Sequence, residues 1–442
     1  MDIKLSDHFN YRRLLRFTLP PVVMMIFASL YGVVDGFFVS NFVGKTPFAA
    51  VNFIMPFLQL FGPIGFLFGA GGSAIVAKLL GEKKREEANR VFSMLVCITV
   101  GLSLFFGALG IVFLPQIASL LGAEGEMLEN AVTYGRIVLL GLPFLMVQFE
   151  FETFFVTAEK PKLGLCATLI AGFTNIALDA LFIVAFNWGI VGAACATAAS
   201  QVAGGLLPLF YFSRKNTSLL RFTKPVWDLK TLWKTVTNGA SELVTHFSLS
   251  FVGMLFNIQL LSYAGEDGVA VYGILMYLNF IFISAFIGYS TGVCPIISYH
   301  LGAKNLDEVK NIFKKSLVIL FSLSAFMLAA GELLAGPLSA IFVSYDGRLL
   351  DMTVHAMRLF CLSYLSVGVD IFGSAFFTAL GDGKTSAIIS FLRTFLLQAA
   401  TVLILPLWLN LDGIWLADGV ANLVALVIST IFFIKERKKF GY

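Results

Sequence analysis

The sequence predicts an all-α integral membrane protein: twelve transmembrane helices in two six-helix lobes, related by a pseudo-twofold axis along the membrane normal. Three observations predict it. The 442 residues are 58% hydrophobic and only 13% charged, against about 25% charged in soluble domains. Apolar runs recur along the whole length, of the order of the roughly 20 residues that cross a bilayer core. The second half also echoes the first at an offset of half the chain.

The runs fall at about 16–43, 48–80, 90–117, 131–157, 163–186, 189–212, 236–264, 269–300, 315–343, 352–380, 385–410 and 413–434. Backbone groups in lipid need internal partners, so helices are the natural spanning element, and the alternation of barrel strands is absent. The breaks between runs alternate in charge. One set is basic and includes Arg12, Arg13, Lys83, Lys84, Arg85, Lys160, Arg214, Arg221, Lys304, Lys384 and Lys438. The other holds Glu124, Glu126, Glu266, Asp267, Asp346 and Asp412. The positive-inside rule makes the basic set cytoplasmic, with both termini on that side. The expected organisation is an N-lobe over 1–212, a cytoplasmic linker over 213–235 and a C-lobe over 236–442. The first run carries Pro20, Pro21 and Asp35 and does not suit a cleavable signal segment.

The repeat supports two halves of one orientation. Gly32 recurs as Gly253, Gly71 as Gly292, and Thr157-Ala158 as Thr378-Ala379. GEKKREEANRVF from Gly81 is echoed by GAKNLDEVKNIF from Gly302. A working cavity is expected between such halves. The five cysteines lie inside apolar runs without a CxxC pair and read as small core residues.

Ionisable groups inside spans cost about 2.5–3.5 kcal/mol each on insertion scales and usually face a cavity or a partner. Here they are Asp35, Glu150, Glu152, Asp179, Glu242, Glu332, Asp370 and Asp418. Asp35 and Asp179 sit deep in their runs with no lysine or arginine within a turn. Asn175 and Asp179 share a helix face, as do Ala193 and Thr197 on the next helix. Two carboxylates, an amide oxygen, a hydroxyl and a backbone carbonyl make an oxygen-rich cage of the kind hard cations take. Crowded buried carboxylates also hold protons, and a purely structural pairing with nearby hydroxyls stays open. At the half-chain offset, Asp35 and Asp179 correspond to Phe256 and Ala400, so the pair belongs to the first half only.

With these features the chain resembles the multidrug and toxic compound extrusion (MATE) family of cation-coupled antiporters over nearly its whole length. The resemblance rests on the two halves, the GxKxxxE-type block and its echo, and Pro20 fifteen residues before Asp35. It also rests on NIALD at 175–179 followed by GAACAT at 192–197. It implies an antiporter that exports amphiphilic organic cations or drugs in exchange for inward sodium or protons, by alternating access of the lobes. It implies a cation site at Asp35, Asn175, Asp179, Ala193 (through its carbonyl) and Thr197, with sodium one candidate occupant, and conformational coupling through Pro20. Another branch of the family uses second-lobe acids. Asp370 fits its position, whereas Glu242 lies a turn early.

If the family architecture holds, cavity candidates are Met24, Gln59, Gln148, Glu152, Glu242, Asn257 and Asp370. His246 reads as a packing histidine. The alternative function is a lipid-linked precursor flippase, or an exporter of an endogenous metabolite, on the same fold. A flippase of pyrophosphate-bearing lipid predicts a cationic cavity. The buried charges here are mostly acidic, with Arg358 and Arg393 the few exceptions near spans. No Walker loop, GxSxG elbow or HExxH pair is present, so an enzyme is not expected. No cofactor is expected beyond the coupling ion. The expected partners are the bilayer and a small organic cation, with no nucleic acid, for a monomer in the inner (plasma) membrane.

Overall fold

The computed structural model describes residues 3–344 and 346–442, apart from the side chains of Val33, Phe37, Ser40 and Lys45. Among the described residues every regular element is helical. The N-lobe is α1 (Tyr11–Phe38), α2 (Thr46–Gly81), α3 (Arg85–Leu120), α4 (Gly125–Thr157), α5 (Pro161–Ala185) and α6 (Gly189–Ser213). Residues 214–228 carry no helix. Leu229–Gly302 is one hydrogen-bonded run that reverses at Gly265, whose φ of 63° and ψ of −151° favour glycine. Residues 229–264 are therefore α7 and residues 266–302 are α8.

The C-lobe continues with α9 (Leu306–Val343) and with α10, a pair (Gly347–Cys361 and Tyr364–Ala379) bent by 49°. It ends with α11 (Gly383–Ile404) and α12 (Pro406–Phe440). The outward faces stay apolar: Leu120, Leu333 and Trp408 are 88%, 80% and 78% exposed, a surface suited to hydrocarbon. Cys97 and Cys166 share that exposed surface, so the expectation of five core cysteines holds fully only for Cys361.

The repeat is visible in the backbone. Lys83 and Lys304 both take the left-handed conformation, with φ of 62° and 57°, and keep the half-chain offset. Farther along, Glu159 pairs with Gly381 and Asn187 with Asn410. The first of these pairs lies one position farther apart than the half-chain offset, and the second lies one farther still. The counterpart of Asp179 is therefore Thr401 rather than Ala400, and the second half still has no acid there.

Glycines fix how the lobes meet. A methyl group added at Gly71 of α2 would overlap Thr235 and Gly239 of α7, and one at Gly239 would overlap Leu67. The repeat-related contact joins Gly292 of α8 to Thr18 of α1. Gly288 presses on Pro21 and Val22, Gly81 on Tyr299, and Gly302 on Lys78. All of these lie in the halves of the helices nearest the basic loops. Toward the acidic loops, Gly32 of α1 and its counterpart Gly253 of α7 meet nothing within 4 Å. The lobes therefore close on the basic face and part toward the acidic one.

A strap ahead of α1 crosses this closed face. Leu5 N donates to Glu159 Oε1 of the N-lobe at 2.6 Å. Phe9 N donates to Glu308 Oε1 of the C-lobe at 2.8 Å, and His8 Nδ1 pairs with Glu308 Oε2 at 2.6 Å. Asn311 Nδ2 and Lys315 Nζ donate to the Phe9 carbonyl at 3.0 and 2.8 Å. Leu5 and Phe9 are fully buried. Burial holds the Glu159 carboxyl above its usual range, with the Leu5 N–H acting in the opposite direction.

Candidate cation site and vestibule

Asp35 lies near the C-terminal end of α1, where the helix passes into a π-helical turn over Val39–Val43. The α-helical part of α5 ends at Asp179, and a second π turn, Ala180–Ala185, follows. Such insertions often mark functional positions in helices. The two helices approach closely because Gly172 of α5 faces Phe27 and Tyr31 of α1, where a larger residue would clash. Gly192 of α6 lets that helix settle against Phe182 in the π turn.

This packing brings Asp35, Asn175 and Asp179 together. Asn175 Nδ2 donates to Asp35 Oδ1 at 3.3 Å, and the Asp35 and Asp179 carboxyl groups are direct neighbours. Asp179 is 0% exposed, yet neither of its oxygens has a hydrogen-bond donor among the described residues. The Asn175 Oδ1 and Thr197 Oγ1 atoms are likewise buried and unpartnered. Ala193 is fully buried one turn before Thr197. Sequence reasoning missed Tyr134 of α4, whose buried side chain has Asp35, Thr197 and Asp179 as neighbours. Nothing in its local sequence marks it, since its position follows only from α4 packing beside α5 and α6.

The result is a cluster of two carboxylates with one amide and two hydroxyl groups around them. Two carboxylates supply negative charge, while an amide oxygen and two hydroxyls supply further lone pairs. A proton or a small hard cation between the acids satisfies it. No group of three His, Cys, Asp or Glu residues with metal-binding geometry occurs among the described residues.

The vestibule candidates scatter more widely. Tyr31 of α1 has Glu152 and Asp35 as charged neighbours. Glu152 is 5% exposed, with an unpartnered Oε2. Rings from both lobes stack beside it. Phe66 of α2 lies 4.4 Å from Phe149 of α4 and 5.6 Å from His246 of α7, all nearly parallel. Glu242 and Glu152 each stand one turn from this stack, on opposite lobes.

Met24 is enclosed against Gly164, and Gln148 is turned toward Gly204 within the N-lobe. Gln59 and Asn257 are exposed. Asp370 is fully buried, its Oδ1 accepting from Ser429 at 3.0 Å. Pro20 is buried in α1 beside the contact of Pro21 and Val22 with Gly288. Glu150 is also fully buried and faces Thr99 of α3, apart from the other acids.

Comparison with known proteins agrees with this architecture. The MatE family model matches twice, over residues 20–181 and 243–404. A multidrug export protein, MepA of Staphylococcus haemolyticus (strain JCSC1435), is 26% identical over 411 residues, covering 93% of this chain and 89% of its own. A crystal structure of a MATE protein in complex with MaL6 superimposes with a TM-score of 0.93 at 21% identity, over 98% of both chains. An outward-facing multidrug resistance MATE transporter of the MOP superfamily superimposes at 0.92 and 22% identity, over 98% of this chain and 97% of its own. With a duplicated family match over most of its length and the twelve-helix, two-lobe architecture to go with it, the chain belongs to the MatE family of multi-pass membrane transporters.

Proposed function

We propose that the chain is a secondary active antiporter, exporting amphiphilic organic cations in exchange for sodium ions or protons moving inward. The observation that carries the reading is the Asp35–Asp179 pair, two neighbouring acids of one lobe, with one amide N–H donated to Asp35 and none to the fully buried Asp179. On this reading the protein works as a monomer in the inner membrane. The basic face and both termini lie in the cytoplasm under the positive-inside rule, and the lobes part outward. The export activity named for the staphylococcal relative supports a small organic substrate.

The mechanism follows from charge. Two bare carboxylates about 4 Å apart repel by about 4 kcal/mol at an effective dielectric of about 20. A proton or cation between them replaces repulsion with attraction and draws the outer half of α1 onto α5. Pro20 and Pro21 supply no backbone N–H, so the hydrogen-bond ladder of α1 is weakest there and the helix bends at that level. That level is also where α1 touches α8, so bending α1 disturbs the contact that closes the lobes. Glu152 and Glu242 attract the cationic substrate into the vestibule, while the stacked rings offer it apolar faces. Coupling requires only that ion and substrate bind the two facing states unequally. In a one-for-one exchange of monovalent cations the membrane potential cancels and the ion's own concentration gradient is the drive; each further inward charge adds about 2.3 kcal/mol per 100 mV, roughly a fiftyfold substrate gradient. A flippase for pyrophosphate-bearing lipids would need a basic vestibule, and the wall acids oppose that reading.

The test is efflux of a fluorescent cationic dye from proteoliposomes under separately imposed sodium and pH gradients. Wild-type protein should export dye with one of the two gradients. Asp35→Asn and Asp179→Asn should insert normally and lose gradient-driven export. Unchanged export by both variants would refute the first-lobe site.

A further inference from the structure

The end of α6 on the basic face carries an open groove that ion and substrate exchange leaves unused. Leu206, Leu209, Phe210 and Ser213 of α6 line it together with Phe222 of the linker. Its volume is about 640 Å³, within the roughly 300–1,000 Å³ usual for small-molecule sites. The linker wall is pinned in place. Phe222 N donates to the Phe212 carbonyl at 3.2 Å, and the Phe222 ring stacks on Phe92 of α3, 5.2 Å away and 7° from parallel. Arg221 N donates to Asn89 Oδ1 at 2.8 Å, Thr223 N to Ser93 Oγ at 2.9 Å, and Arg85 Nη2 to the Ser218 carbonyl at 2.9 Å.

Positive charge gathers beside this groove. No acid occurs in the sequence between Asp179 and Asp228, whereas Arg214, Lys215, Arg221 and Lys224 do. The Arg214 guanidinium lies 3.9 Å from the centre of the Phe210 ring, a stacking that holds it over the groove wall. It has no hydrogen bond or ion pair among the described residues. Trp227 and Trp233, each 69% exposed, flank the start of α7, and tryptophan favours the headgroup level of a bilayer.

The equivalent end of the C-lobe is built alike but neutralised. In the register of Asn187 and Asn410, Phe210 corresponds to Phe433, Ser213 to Glu436 and Arg214 to Arg437. Tyr442 packs on Phe313 there at 5.1 Å, as Phe222 packs on Phe92, and its hydroxyl donates to the Phe433 carbonyl at 3.0 Å. The bases have partners within the protein. Arg437 Nε donates to the Tyr442 carbonyl at 2.9 Å, and Lys439 pairs with Asp382 at 2.8 Å and Glu436 at 3.3 Å.

We propose that the N-lobe groove is a binding site for one anionic phospholipid, with an acyl chain along Leu206, Leu209 and Phe210 and the phosphate on the Arg214 guanidinium. The apolar wall lies within the span of α6 and Arg214 just past its end, the order in which a lipid presents chain and headgroup. A guanidinium fork matches two phosphate oxygens, and basic pockets beside membrane helices take anionic headgroups.

Native mass spectrometry of delipidated full-length protein tests this, with phosphatidylglycerol and phosphatidylcholine of the same chains titrated separately. Phosphatidylglycerol should fill one site about fivefold more tightly than phosphatidylcholine, and excess glycerol phosphate should not displace it. Arg214→Gln should bring the two lipids to within about twofold of each other. Leu206→Trp, which crowds the groove, should weaken phosphatidylglycerol binding about fivefold. Lys384→Gln, at an exposed base of the C-lobe, should leave the preference unchanged. Equal affinity for the two lipids in the unaltered protein would overturn the proposal even if no variant folds. A folded Arg214→Gln protein that keeps the full preference would do the same, as would an equal loss of preference in Lys384→Gln. Displacement by glycerol phosphate would also overturn it, by assigning the site to a free phosphate.

Discussion

The two lobes share a scaffold and differ in their chemistry. Backbone features recur in both: left-handed Lys83 and Lys304, left-handed Asn187 and Asn410, and the close helix contacts at Gly71 and Gly292. The charges do not recur. Asp35 and Asp179 face Phe256 and Thr401 across the repeat, and Arg393 faces Ala171. Duplication therefore preserves what lets helices pack and lobes close, while the interior acids and bases are specific to each copy. A symmetric fold here carries asymmetric buried charge.

The largest effect that can break this comparison is on the N-lobe pair. Asp35→Asn and Asp179→Asn should abolish ion-driven dye efflux, whereas Thr401→Asp at the C-lobe counterpart of Asp179 should not restore it. A smaller effect addresses the shared scaffold. Gly71→Val places side-chain atoms on the Thr235 carbonyl, and overpacking of this kind costs about 1–3 kcal/mol. It should shift the lobes away from closure on the basic face by roughly tenfold to a hundredfold. Increased thiol labelling of a cysteine introduced beside Tyr299 reports that shift, and unchanged labelling would count against the glycine contact.

Next in size is the strap, which ties together the two lobes that the repeat keeps separate. Phe9→Ala removes a buried aromatic ring, worth about 1.5–3 kcal/mol on burial alone. It should loosen the basic face while leaving cation affinity unchanged. Thiol labelling at the same position, alongside cation binding, separates the two effects. The smallest effect belongs to Tyr134→Phe, which removes one hydroxyl from the N-lobe cluster. A single such group contributes about 1 kcal/mol, so cation affinity should fall about fivefold with the fold intact.

Much of this is legible in the sequence because bilayer physics leaves few options. Apolar runs, alternating loop charge and the repeat point to the twelve-helix, two-lobe fold, and the spacings 175/179 and 193/197 put polar groups on shared helix faces. Three features escape. Tyr134 joins the cation cluster only through packing of α4, which no local spacing encodes. The strap contacts join residues far apart in the chain, such as Phe9 and Glu308, and polar terminal residues carry no periodic signal. Arg393 reads from sequence as a lone base near a span, because its burial to 8% exposure in α11 follows only from packing of the C-lobe helices. The drift of the repeat register toward the end of each half is hidden too, since single-residue insertions leave the apolar runs unchanged.

The most direct test of the central claim is a distance measured across the open side of the molecule while the coupling ion is exchanged. Nitroxide labels at Leu121→Cys in the N-lobe and Leu409→Cys in the C-lobe, in a chain lacking its native cysteines, report that distance by electron–electron resonance. Changing sodium or pH should move the distance distribution in the otherwise unaltered transporter and leave it fixed when Asp35 and Asp179 are both asparagine. An equal ion-dependent shift in the doubly substituted protein would contradict the claim that this one pair of acids decides which way the lobes face.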